Sequence, residues 1–187
     1  MAVTTLDPKT ALIIIDLQKG IVGIPTAHPT AEVVKRARAL ADAFRGHGLP
    51  VVLVNVDAGA PGRTEKALTT REFPADWTEL VPELNQQPKD HTVTKRTWGA
   101  FMNTGLGDHL TKLDVTQVVI VGVATSIGVE STARQAYELG YHVTLAVDAM
   151  TDMNLDAHTN SVTRIFPRLG ETGTTQEILD VLNKTRG

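Results

Sequence analysis

The sequence predicts an α/β fold built on an open parallel sheet. Two observations carry this. A continuous apolar run at 11–15 and mainly apolar runs at 49–57 and 117–121 each have a length that suits a strand buried on both faces. Segments of helical periodicity separate them, so the chain reads as βαβ units with right-handed crossovers.

The elements come in this order. Ala11 to Ile15 is the first strand, ending at Asp16. Residues 31–47 form a helix on the spacing of Val33, Val34, Ala37, Leu40, Ala41 and Phe44, with Thr30 as its N-cap and Gly48 as its stop. "LPVVLVNVD", 49–57, is the second strand. The segment 58–92 is rich in Gly, Pro and polar residues and carries Trp77; it reads either as a functional lid or insertion or as a variable surface loop. "HTVTK", 91–95, shows a short apolar–polar alternation. Gln117 to Val121 is a strand, followed by a helix through Leu139 that Gly140 closes. A strand at 141–148, a helix at 154–166 and a short strand near 168–172 come next. Thr174 and Glu177 stand at capping-box spacing and open the last helix. No internal repeat or low-complexity linker interrupts the pattern, and one domain is expected over residues 1–187.

Composition narrows the function. A net charge of −3 without a basic run argues against nucleic acid as a partner. No apolar run approaches bilayer length, and "MAVTTLDPKTALIIID" lacks the plan of a signal peptide, so a soluble protein of the cytoplasm is expected. The chain has no cysteine, which removes disulfides, thiolate catalysis and cysteine metal sites.

Ligands of open α/β sheets bind beyond the carboxyl ends of the strands. Asp16 sits at one such end and reads either as a turn or capping residue or as a functional carboxylate. "GVATSIGVESTAR", 122–134, is a strand-to-helix turn; helix N-termini present free N–H groups that hold anions and oxyanions. Ser126 is its natural N-cap, since no base is placed to make it a nucleophile. Lys95 alone reads as a surface charge, and Trp98 and Phe101 as core or pocket wall. Asp148 ends a strand and reads as a cap for the next segment.

"ALIIIDLQ", "TKRTWGAF" and "VVIVGVATSIGVESTARQAYELGYHVTLAVDA" together resemble the isochorismatase-like hydrolase superfamily, which includes cysteine hydrolases such as nicotinamidases and N-carbamoylsarcosine amidases. The pieces occur in family order across nearly the whole chain, and "HTNSVTRIFPR", 158–168, is similar to the tail of a bacterial subgroup. The resemblance implies a three-layer α/β/α sandwich with a six-stranded parallel sheet and a homo-oligomer, a dimer or larger. It assigns a catalytic aspartate to Asp16, a lysine to Lys95 and the nucleophile's position to Gly128, with Gln18, Trp98 and Phe101 as further pocket residues. It also implies an oxyanion site on the N–H groups of Ala124 and Gly128 and a non-proline cis peptide at Val123–Ala124.

The chain departs from the cysteine hydrolases at Gly128, so thioester chemistry is excluded. Three readings stay open. Asp16 protonates a vinyl ether, as in true isochorismatases, which resemble this chain in having glycine there. Asp16 stays ionised and activates a water that cleaves a small amide, imide or ester. Or the protein is a catalytically degenerate binder of small molecules. A nearby ammonium favours the ionised form of Asp16, whereas an apolar surrounding favours the acid. Arg63, Arg71 and Arg96 read either as solvated surface charges or as contacts for a charged substrate. The nicotinamidase metal cluster is matched here only by Asp57, without a histidine, and the six histidines are scattered, so neither metal nor cofactor is expected.

Overall fold

The computed structural model describes residues 3–60, 62–65 and 73–186. Six parallel strands form the sheet: β1 (Thr10–Ile15), β2 (Val51–Val56), β3 (His91–Lys95), β4 (Gln117–Val123), β5 (His142–Thr151) and β6 (Glu171–Gly173), in the order β3-β2-β1-β4-β5-β6. Helices α1 (Lys19–Val22), α2 (Thr30–Gly46), α3 (Leu106–Lys112), α4 (Glu130–Glu138), α5 (Leu155–Asn160) and α6 (Thr175–Arg186) connect them.

The apolar strand runs are explained by burial on both faces. Leu12 and Ile14 of β1 join Val33, Leu40, Phe44, Ile178 and Leu182 in the core under α2 and α6. Ala11, Ile13 and Ile15, the alternate residues, join Leu106, Leu110, Ala133 and Ala136 under α3 and α4. The result is the expected three-layer α/β/α sandwich. "HTVTK" is β3, at one edge of the sheet, which accounts for its alternating rather than continuous apolar pattern. No helix among the described residues is long and apolar enough to cross a membrane.

Several boundaries differ from those expected. Thr30 is the first residue of α2 rather than its N-cap; its hydroxyl meets that of Thr26 at 3.0 Å instead of the helix amides. Gly48 and Gly140 come after their helices with φ of 69° and 89°. The strand expected to end at Asp148 runs on to Thr151. The helix expected over 154–166 is α5, capped by Asn154, followed by a π-helical turn at Ser161–Ile165 and a 3-10 turn at Phe166–Arg168, where Pro167 cannot continue a helix. The capping box of α6 is present: Glu177 accepts from the Thr174 amide at 2.7 Å, and Thr174 Oγ1 accepts from the Glu177 amide at 3.2 Å.

Chain order places β1 beside β4, so the direction of winding reverses between them. In doubly wound sheets the crevice beyond such a switch point holds the ligand. Gly122 makes this corner possible. It pairs with Ile15 at φ of 120°, and a Cβ there would lie 2.1 Å from the Ile15 carbonyl oxygen. Gly122→Ala is therefore expected to lower stability by more than about 2 kcal/mol, read as a drop in the urea midpoint at unchanged slope.

Candidate active site

Asp16 leaves β1 in the left-handed region, φ 52°, a conformation that a short polar side chain tolerates better than a branched one. Its carboxylate is nearly enclosed. Lys95, at the end of β3, reaches it across β2, a span of roughly 10 Å at ordinary strand spacing. Lys95 Nζ lies 2.7 Å from Asp16 Oδ2 and 3.2 Å from the Thr97 carbonyl oxygen, so two of its three donors are engaged. The lysine side chain is 2% exposed and that of the aspartate 8%. The surface-charge reading of Lys95 is therefore overturned.

Asp16 Oδ1 is buried without a hydrogen-bond partner among the described residues. Lost hydration is thus uncompensated on that side, and desolvation raises the Asp16 pKa to about 6 against the opposing pull of Lys95. The two influences anticipated from the sequence both act, and burial is the larger.

Gly128 stands directly beside this pair. A Cβ on it would lie 3.2 Å from Asp16 Oδ2 and 2.9 Å from Ile15 Cγ2. The peptide Val123–Ala124 just before the turn is cis. Asp16, Lys95, Gly128, Ala124 and Trp98 line one cavity of about 540 Å³. Ile21, Ile24, Val56, Ile127 and Met153 make the rest of its lining largely apolar.

The described part of 58–92 forms a wall of this cavity. Phe73 and Trp77 stack at 4.2 Å, and the Trp77 indole occupies the space over Gly20 that a Cβ would fill. The Gly20 amide donates to the Trp77 carbonyl at 3.0 Å, and the Lys19 amide to that of Glu79 at 2.8 Å. Gln18 completes the fastening. Its amide group donates to the Val56 and Trp77 carbonyls, both at 3.0 Å, and accepts from the Val56 amide at 2.8 Å. Gln18 is fully buried, does not line the cavity, and acts as a clamp on the wall.

Two other expected pocket residues also lie outside the lining. Phe101 packs against the core under α3 and α4, with its ring 5.8 Å from that of Tyr141. Ser126 is not an N-cap. It lies inside a π-helical turn, Thr125–Val129, and both its amide and its hydroxyl donate to Asp152 Oδ2 at 2.8 Å. The longer β5 delivers Asp152 to that point, so the helix end is met by a carboxylate of the chain itself rather than left open to an anion. A fifth strand that stops at Asp148, as the sequence suggests, leaves Asp152 out of the site. Asp148 does cap, but it caps α6, accepting from the Thr175 amide at 2.7 Å, and it pairs with Arg36 at 3.3 Å.

Of the arginines, Arg63 is exposed and off the cavity, and Arg71 lies outside the described residues. Arg96 holds the Asp57 carboxylate with two nitrogens, at 3.0 and 3.1 Å. Asp57 also borders the cavity. Among the described residues no group of three or more His, Asp and Glu is placed to hold a metal ion. Four of the six histidines are not scattered: His28 and His158 approach ring to ring at 4.7 Å, and His91 and His109 stack at 3.6 Å.

A carboxylate, an ammonium and a bare-backbone corner thus meet at the switch point of a parallel sheet, where such folds bind ligands. Comparison with known proteins gives the class. The isochorismatase domain matches residues 10–177. An uncharacterized isochorismatase family protein of Bacillus subtilis, YwoC, is 46% identical over 179 residues, covering 92% of this chain and 93% of that protein. The solved structure of an isochorismatase family protein from Burkholderia thailandensis superposes with a TM-score of 0.92 at 39% identity, over 96% of this chain and 98% of the other. Streptothricin hydrolase of Streptomyces noursei is 35% identical over 148 residues, 79% of this chain but 51% of that enzyme. The chain belongs to the isochorismatase family of hydrolases.

The buried pair has a pH signature. Asp16 titrates near 6 in the folded protein against 3.8 in the unfolded chain. Its contribution to stability is thus present below pH 3.8, is lost as pH rises through about 6, and amounts to about 3 kcal/mol. Lys95→Met removes the ammonium that limits this loss and moves the Asp16 pKa higher. The urea midpoint of the variant, relative to wild type, is expected to hold a constant gap below about pH 5 and to fall further behind as pH rises above about 6; a gap independent of pH up to 8 would contradict this.

Proposed function

We propose that the protein hydrolyses a small organic molecule without a covalent enzyme intermediate, with the Asp16 carboxylate as general base. The observation that supports this best is the position of Asp16 Oδ2, held by Lys95 at 2.7 Å and set against the bare backbone of Gly128 at the wall of the cavity. Glycine at this position, in a chain without cysteine, supports a reaction that uses no thiol nucleophile.

A water beyond Gly128 donates one proton to Asp16 and attacks the electrophilic carbon of an amide, imide or ester. The negative charge that develops on the substrate oxygen is received by the backbone N–H groups of Ala124 and Gly128. The bond to the leaving group then breaks, and Asp16 returns the proton to the departing nitrogen or oxygen. Lys95 fixes the carboxylate and, with its third donor, meets the substrate. With a pKa of about 6, Asp16 is about nine-tenths ionised at pH 7, yet basic enough to take a proton. The substrate is small, because the cavity holds about 540 Å³. Trp98 and the Phe73–Trp77 pair close around its apolar part.

The same raised pKa favours a second reading, in which protonated Asp16 delivers a proton to the carbon of a vinyl ether. The pH profile separates the two. A screen of small esters, amides, imides and vinyl ethers supplies the substrate. For general-base catalysis, kcat/KM rises with pH through about 6 and then levels, and Asp16→Asn lowers it by about 10²–10⁴-fold. A rate that falls above pH 6 transfers the acid role to Asp16. Full activity in Asp16→Asn rules out both.

A further inference from the structure

We propose that His158 is a positioning residue for the catalytic corner, acting through Thr125, and that its protonation loosens the corner. For catalysis the inference rests on the function proposed for Asp16; the coupling itself does not.

The turn 124–128 has two sides. Ala124, Ile127 and Gly128 line the cavity, whereas Thr125 and Ser126 do not. These two residues tie the turn to the segment behind it. Ser126 is held there by Asp152. Thr125 is fully buried, and its hydroxyl lies 2.8 Å from His158 Nδ1, its hydrogen-bond partner among the described residues. The loop before α2 closes the cluster: the Ala27 amide donates to the Asp152 carbonyl at 2.8 Å, and the His28 amide donates to Thr151 Oγ1 at 3.1 Å.

A neutral imidazole either donates or accepts at Nδ1; an imidazolium only donates. Protonation of His158 therefore compels Thr125 to accept. The Thr125 hydroxyl proton must then turn toward a fully buried region that offers it no other partner among the described residues. A buried donor left unsatisfied is unfavourable, and the turn relieves it by moving. Movement of Thr125 carries Ala124 on one side and, through the π-helical turn, Gly128 on the other.

The charged and titratable groups around His158 are few. His28 faces it from the loop before α2, Asp152 from the end of β5, and Asp156 lies on its own helix, α5. Glu130, at the start of α4, is engaged by Ser161 and Arg134. Burial and His28 together hold the His158 pKa below the ordinary histidine value, against the pull of Asp152. The neutral, bracing form is thus the one present at neutral pH, and the switch operates on the acid side.

Two-dimensional amide NMR of the whole protein tests the coupling without any substrate. As pH is lowered from 8, the Gly128 amide is expected to track two titrations, that of Asp16 and, wherever the ring itself is seen to titrate, that of His158. His158→Asn keeps an acceptor near the Nδ1 position but cannot titrate; it removes the second step and leaves the first. Asp16→Asn does the reverse. Thr125→Val removes the second step and Thr125→Ser retains it. With an ester or amide from the screen, Thr125→Val lowers kcat by roughly tenfold or more at nearly unchanged KM, and Thr125→Ser restores it. A wild-type Gly128 amide that does not respond while the His158 ring titrates overturns the proposal, as does a second step that survives His158→Asn. Neither result touches the role of Asp16, which stands or falls on the pH profile of turnover.

Discussion

A carboxylate withdrawn from water against a single ammonium sets the conditions for everything else in this molecule. Burying Asp16 removes hydration worth far more than an exposed ion pair returns. Lys95 gives back part of it through a contact of 2.7 Å, but Oδ1 receives nothing from the described residues. The residual cost shows up as a pKa of about 6 rather than as an unstable fold, because the sandwich around it buries two complete apolar layers. A group that titrates near neutrality is suited to the general-base role proposed for Asp16.

The sheet brings the parts together by topology. β1 supplies Asp16, β3 supplies Lys95 from two strands away, and β4 supplies the corner that leads to Gly128. Two glycines do different work there. Gly122 lets the backbones of β1 and β4 meet where a Cβ would strike the Ile15 carbonyl, while Gly128 lets the backbone of the turn come up against the carboxylate and Ile15, where a Cβ would lie 3.2 and 2.9 Å away. The wall at 73–80 adds enclosure, fastened by Gln18 and by the close seat of Trp77 on Gly20.

Much of this is legible in the chain. The parallel sheet can be read from runs such as "ALIII", and the α6 capping box from the spacing of Thr174 and Glu177, because both are local patterns. Asp16, Lys95 and Gly128 are marked by resemblance, not by spacing. A lysine 79 residues from its partner has no local signature. The parts that escape the sequence are those that depend on where a strand stops. β5 runs three residues beyond Asp148, and those residues bring Asp152 against Ser126 and lead into the helix that carries His158. Gln18 belongs to the pocket by its place two residues after Asp16, but its neighbours in space turn it into a clamp. The pairing of His28 with His158, 130 residues apart, is invisible for the same reason as the lysine.

The central claim is that burial outweighs the ammonium at Asp16. The direct measurement is the carboxyl carbon shift of Asp16, assigned by comparison with Asp16→Asn and tracked from pH 3 to 9. A midpoint near 6 is the predicted result. A midpoint at or below the ordinary aspartate value of 3.8 would show that Lys95 dominates, and would contradict the account.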